Sequence, residues 1–127
     1  MLLTMLKSKI HRAVVTESNI NYIGSVTIDE VLMRAAGLLE YEQAHIADLD
    51  NGSRFETYVI KGAPGSRQIC INGAAAKLVK PGDKIIIMAY AAATPEEAEV
   101  LKPRVVFVDG DNKITSVKNG EESNTVF

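Results

Sequence analysis

The chain has a single cysteine, two histidines, and only 14 basic against 16 acidic residues in 127. Cys70 alone excludes an intrachain disulfide, and with no second cysteine and no histidine cluster a redox or zinc role has nothing to build on. Gln68-Ile69-Cys70-Ile71 reads instead as a strand in which Cys70 is a small buried side chain. No metal ligands are expected. Net charge is −2 and no basic run occurs, so neither a nucleic acid nor an anionic membrane has electrostatic support as a partner. No apolar stretch approaches transmembrane length. The run before Lys7, Lys9 and Arg12 is too short for a signal segment, and the charges lie on its wrong side. A soluble, cytoplasmic protein is expected. Repeats and linkers are also missing, and 127 residues at 46% hydrophobic content suit one domain, 1–127, with a real core.

What is present is a series of short β-rich runs split by turn signals. Leu2–Leu6, Ile10–Thr16 and Ser25–Ile28 are apolar and β-branched enough for strands. Asp29–Ala36 reads as a helix: Thr27-Ile28-Asp29-Glu30 fits a capping box, and Gly37 stands at the C′ position. Gln43–Leu49 and Arg54–Lys61 flank Asp50-Asn51-Gly52, a strong hairpin signal. Further strands are expected at Gln68–Ile71, Lys84–Tyr90, Arg104–Val108 and Lys113–Val117. A helical turn suits Ala74–Val79, and Thr94-Pro95-Glu96-Glu97 opens another helix. Residues 118–127 read as a frayed tail. The class is mainly β: a small closed barrel of six or seven strands with two or three short helices.

Chemistry enters at Tyr22-Ile23-Gly24-Ser25-Val26-Thr27. A Gly-Ser bond is ordinarily a turn. If the Ser25 hydroxyl reaches back to the Gly24 carbonyl, the acyl group can move from nitrogen to oxygen. Glycine, lacking Cβ, would permit the strained backbone that exposes this carbonyl. Elimination of the resulting ester gives dehydroalanine, and hydrolysis leaves a pyruvoyl group on the new N-terminus.

Four blocks, Met1–Arg12, Tyr22–Ser25, Asn51–Tyr58 and Asn72–Ala76, closely resemble the aspartate 1-decarboxylases, in the order and spacing of that family. The resemblance runs from Met1 to about Val117. It implies a double-psi β-barrel and cleavage between Gly24 and Ser25 into chains 1–24 and 25–127. It also implies decarboxylation of L-aspartate to β-alanine, for pantothenate synthesis, through an imine with the pyruvoyl group of Ser25. The group would act as electron sink, the role usually given to pyridoxal phosphate. Homotetramers with sites between subunits are implied, and some relatives use an accessory maturation protein.

Each site residue has a plainer reading beside this one. Lys9 and His11 lie two apart on a strand, on one face; they are an edge lysine and a half-buried histidine, or positive charge beside a dicarboxylic substrate. Arg54 is a surface arginine, or a bidentate carboxylate clamp. Tyr58, on the face of Arg54, is a core tyrosine or the proton donor after CO₂ leaves. Thr57 should point away in a regular strand, yet the resemblance assigns it to processing and substrate binding; a bulge or an intersubunit site would reconcile the two. Asn72, Gly73, Ala74 and Ala75 form a helix start able to hold an anion, and Tyr22 lines the same pocket. Other readings are a catalytically silent barrel and a serine hydrolase pairing Ser25 with His11. The hydrolase lacks the Gly-x-Ser-x-Gly elbow and an acid partner.

Overall fold

The structure, a computed structural model, describes residues 1–121. It is mainly β, with nine strands, two short α-helices and one 3-10 helix. In chain order these are β1 (Leu3–Val14), β2 (Glu17–Asn19), β3 (Ser25–Asp29), α1 (Glu30–Ala36), β4 (Gln43–Asp48) and β5 (Arg54–Gly62). They continue with β6 (Ile69–Asn72), the 3-10 helix Gly73–Lys77, β7 (Lys84–Ala93), α2 (Pro95–Val100), β8 (Arg104–Val108) and β9 (Ile114–Asn119).

One sheet holds all nine strands in the order β2-β6-β3-β5-β4-β7-β1-β8-β9. Nine strands replace the expected six or seven, and the ladder runs from β2 to β9 without closing on itself. The excess lies at its two ends. Strand β2 is the tripeptide Glu17-Ser18-Asn19, which has no apolar alternation to betray it and is held by parallel pairing with β6. At the other end β9 reaches Asn119, so the tail expected from residue 118 begins with a strand, and residues 122–127 lie outside the described part.

Two expected strands are one. Strand β1 continues along β7 from the first expected run into the second, with two register shifts, the first at Lys7. The second falls between Ile10 and Ala13, where Arg12 takes a φ of 63°. Strands β1 and β3 each have one parallel and one antiparallel neighbour: β8 and β7 for β1, β5 and β6 for β3. Parallel pairing needs crossovers, and α1 with β4 supplies the one from β3 to β5.

Helix α1 is capped by Asp29, not by a box built on Thr27. The Asp29 carboxylate accepts from the N–H groups of Val31 (2.8 Å), Gly65 (3.0 Å) and Arg67 (2.6 Å), tying the helix start to the loop after β5. Gly37 ends the helix at φ 75°, as expected of a C′ glycine. The Thr94–Glu97 capping box of α2 is present in both directions.

Inward-facing Ile10, Val26, Ile28, Ile46, Val59, Ile69, Ile71, Ile85 and Ile87 form the core, with Leu32 and Met33 of α1 packed on it. Strict alternation decides what faces the other way. On β3, Val26 and Ile28 point inward, which turns Ser25 and Thr27 to the opposite face. Among the described residues no helix is long and apolar enough to cross a membrane.

Candidate active site

Ser25 begins β3 opposite Asn72, the last residue of antiparallel β6. Both are buried. The Ser25 hydroxyl donates to the carbonyl of Ile23 at 3.0 Å, which folds it back over Gly24. It accepts from Asn72 Nδ2, also at 3.0 Å. The same amide nitrogen donates to Thr27 Oγ1 at 3.1 Å, so one side chain holds two hydroxyls on neighbouring turns of the pleat. Asn72 stands at the cap of the 3-10 helix but makes no cap hydrogen bond. Its side chain is committed to Ser25 and Thr27 instead.

The orientation of that amide is fixed from behind. Cys70 Sγ donates to Asn72 Oδ1 at 3.0 Å. Burial, reinforced by nearby Glu17, pushes the Cys70 thiol up to about 11, so at neutral pH it remains a protonated donor. Sequence reasoning saw Cys70 only as filler. Its place two residues before Asn72, on the same strand face, was the available signal.

The glycine that the geometry demands is not the one expected. The backbone of Gly24 is outside the left-handed region, and a Cβ there would meet nothing within 4 Å. Gly73, at φ 75°, is the constrained position: its Cβ would lie 2.6 Å from Gly24 Cα and 2.9 Å from Gly24 N. The missing side chain of Gly73 is what lets the loop before Ser25 lie against β6.

Beside these residues opens a cleft of about 290 Å³, lined by Glu17, Tyr22, Thr27, Lys61, Cys70 and Asn72, among others. Tyr22 is exposed at its mouth. Ala74 is exposed and Ala75 packs against the core edge, so of the four residues from Asn72 to Ala75 only the first two meet the Gly24–Ser25 junction.

Strand β5 is regular, with no register shift against β3 or β4. The bulge that might have turned Thr57 is therefore not there. Thr57 lies opposite Ala44 and shares its side of the strand with core residues Phe55 and Val59. Tyr58 has the opposite parity. It precedes Val59 as Ser25 precedes the paired Val26, which puts Tyr58 and Ser25 level on one face. Its ring lies 6.4 Å from that of Tyr41.

Arg54, Lys9 and His11 are elsewhere. Arg54 is four residues back along β5, roughly 13 Å at about 3.3 Å per residue, exposed in a separate hollow with His45 and Glu56. Lys9 and His11 do share a face of β1, as expected, but β1 is four strands from β3 in the sheet order. Lys9 pairs with Glu121 at 3.1 Å. His11 meets Phe107 edge-on at 5.8 Å. Burial lowers its pKa, as do the charges of Lys9 and Arg12, against an opposing effect of Glu121. Within one chain the partners of Ser25 are Asn72 and the Ile23 carbonyl, which gives a Ser25–His11 hydrolase pair no support.

Fold and site together define a small mainly-β domain organised around the junction between exposed Gly24 and buried Ser25. The sequence matches the family described as aspartate decarboxylase over residues 1–115. It is 61% identical to the aspartate 1-decarboxylase of Caldicellulosiruptor saccharolyticus over 122 residues, 96% of this chain and 95% of that one. The aspartate 1-decarboxylase of Pelotomaculum thermopropionicum is 61% identical over 95% of this chain and 92% of its own. That of Clostridium botulinum is 56% identical across the full length of both. The chain belongs to the aspartate decarboxylases, lyases that release CO₂.

Proposed function

We propose that the chain cleaves itself between Gly24 and Ser25 and then converts L-aspartate to β-alanine, the precursor for pantothenate, in the cytoplasm. The observation that carries this reading is the Ser25 hydroxyl, buried, folded back over Gly24 and held by Asn72. Attack of Oγ on the Gly24 carbonyl carbon forms the ester as the C–N bond breaks and the amine takes the proton. Loss of the Ser25 α-proton expels Gly24 as a carboxylate. Water then replaces the amine nitrogen, which leaves as ammonia, and residue 25 carries the pyruvoyl group. The intramolecular step gains from fixed proximity, since attacking and attacked atoms sit in adjacent residues.

The residues around position 25 suit such a group. Asn72 and Thr27 supply polar contacts there, and the Gly73 backbone approaches closely because no Cβ intervenes. The pyruvoyl group supplies an electron sink for the electrons released with CO₂. Tyr58, level with residue 25, is the proton donor to the substrate carbon. Arg54 holds a substrate carboxylate through two parallel hydrogen bonds, and Lys9 adds positive charge, with His11, its pKa lowered chiefly by burial, as an uncharged polar neighbour. Thr57 is half-buried rather than buried, and its remaining exposed surface serves a site shared with a neighbouring subunit.

This division fits the homotetramer with sites between subunits that the family resemblance implies, with Tyr22 and the Asn72–Ala75 segment lining each site. Intact-mass measurement of purified protein tests the reading: two chains, 1–24 and 25–127, are expected. Ser25→Ala should give one folded chain without decarboxylase activity. Cleavage persisting in that variant would refute the acyl shift.

A further inference from the structure

Glu56 stands between Arg54 and Tyr58 on the face of β5 that both share. It is two residues from either one, about 6.6 Å along the strand. Arg54, Glu56 and His45 of β4 line one hollow of about 130 Å³. The Glu56 carboxylate is held in place there. Oε2 accepts from Gln43 Nε2 at 3.0 Å, and Oε1 stands 3.6 Å from His45 Nδ1. The ring of Tyr90 braces His45 in turn, meeting it edge-on at 5.0 Å. Register extends this row across the sheet: Glu56 pairs with His45, His45 with Met88 of β7, and Met88 with Lys9 of β1. Lys9 is thus three interstrand spacings from Glu56, roughly 14 Å.

Held this way, Glu56 does little for the fold. Its side chain is 61% exposed, and exposed pairs of this kind add little stability. Its charge has a better use. Among the described residues, Glu56 carries the only carboxylate that β4, β5 and β7 turn to this side of the sheet, and Arg54 and Lys9 flank it with positive charge. Aspartate brings the complementary set, two carboxylates and one ammonium. Cations can hold the carboxylates but repel the ammonium, and the amine is the group that must reach residue 25. We propose that Glu56 binds the α-ammonium of the substrate, with Gln43 and His45 as the residues that position its carboxylate.

The inference rests on the reading above in which Arg54 and Tyr58 serve the aspartate site. Because Arg54, Glu56 and Tyr58 lie on one strand face, they reach the same site together, whether one chain completes it or two. The assignment makes Glu56 a specificity residue. L-Aspartate gains from its charge. Succinate, which has the same two carboxylates and no ammonium, meets that charge unopposed.

The test assays full-length protein with L-aspartate and titrates succinate as a competitive inhibitor. Glu56→Gln keeps the size of the side chain and removes its charge. KM for aspartate should rise about tenfold or more, as loss of a charge-assisted hydrogen bond predicts. Succinate should inhibit this variant at least as tightly as wild type. Glu56→Asp, which keeps the charge, should recover part of the aspartate KM. His45→Leu should shift the preference for aspartate over succinate in the same direction but less, because Gln43 still holds the carboxylate. Intact-mass measurement keeps the two levels apart. An uncleaved, inactive wild type would refute the reading of the site and this inference with it. A cleaved, active wild type whose preference survives unchanged in Glu56→Gln would overturn the inference alone. So would equal weakening of aspartate and succinate in that variant, the behaviour of a residue that only supports the fold.

Discussion

On the face shared by β3 and β6, Ser25, Thr27, Asn72 and Cys70 are hydrogen-bonded to one another within a single chain, at 3.0–3.1 Å and largely out of solvent. On β1 and the start of β5, Lys9, His11 and Arg54 each have separate surroundings. Lys9 is engaged by Glu121, His11 packs on Phe107, and Arg54 stands exposed in its own hollow. The contrast matches two kinds of task. Self-cleavage attacks a bond in the same chain, so its parts can be assembled by β-pairing alone. On the proposed reading, substrate must enter and leave, and a second copy of the chain would bring the cationic partners to the site.

The sharpest way to break this comparison is complementation between two inactive chains. Ser25→Ala keeps Arg54 but makes no pyruvoyl group, whereas Arg54→Ala cleaves but lacks the clamp. Neither alone should turn over aspartate. Co-expressed, they should regain activity through mixed sites, to a fraction fixed by how often the two kinds meet. Mixed oligomers without activity would place both residues in one chain's site, against the separation seen along β5.

A graded effect is expected from Arg54→Lys, which keeps the charge and loses the two-pronged geometry. Its kcat/KM should fall about 10–100-fold, as charge-assisted hydrogen bonds of ~1.5–3 kcal/mol predict. Cleavage at Gly24–Ser25 should proceed at the wild-type rate, since Arg54 is remote from that bond. A variant slow in both reactions would erase the distinction between the two regions.

How much of this was legible in the sequence depends on the range of the interactions. Short-range signals were readable: the Thr94–Glu97 capping box, the Asp50-Asn51-Gly52 hairpin and the Gly37 helix stop all depend on residues within four positions. Strand β2 was not, because Glu17-Ser18-Asn19 is held by β6, some fifty residues away. Gly24 drew attention as the flexible residue, yet the steric demand falls on Gly73, and only the pairing of β3 with β6 brings the two together. Motif resemblance picked out Ser25 and Asn72 separately. Their contact, and the thiol behind it, are consequences of register.

That thiol gives a smaller effect confined to the β3–β6 face. Cys70→Val removes the donor that orients the Asn72 amide, leaving Oδ1 without its partner. Self-cleavage should slow roughly fivefold, the equivalent of about 1 kcal/mol for one neutral hydrogen bond. Cys70→Ser, which keeps a donor, should restore most of the rate. The KM of fully cleaved Cys70→Val for aspartate should change little if Cys70 acts only through Asn72. Equal slowing in the serine and valine variants would mean that packing, not the hydrogen bond, is what Cys70 contributes.

The smallest effect belongs to the other region, at His11. Burial and the charges of Lys9 and Arg12 hold its pKa below the ordinary 6.5, while Glu121 works in the opposite direction. Because the folded-state pKa is the lower one, the unfolded chain binds the proton first as pH falls below 6.5. Stability therefore declines from about that pH down to the folded pKa and is level beneath it. Glu121→Gln removes a carboxylate that raises that pKa, so the His11 midpoint should move further down, and the stability loss should extend to lower pH. Proton NMR of the imidazole across pH 4–8 reads the midpoint directly, with His45 as an internal control on the β4 face. The same substitution frees Lys9 from its 3.1 Å ion pair, and a substrate carboxylate would then meet an uncommitted ammonium. KM for aspartate should fall modestly while kcat holds. A His11 midpoint that stays in place in Glu121→Gln would show that Glu121 does not sit over Lys9 and His11 in solution, and the two regions would differ less than their contacts suggest.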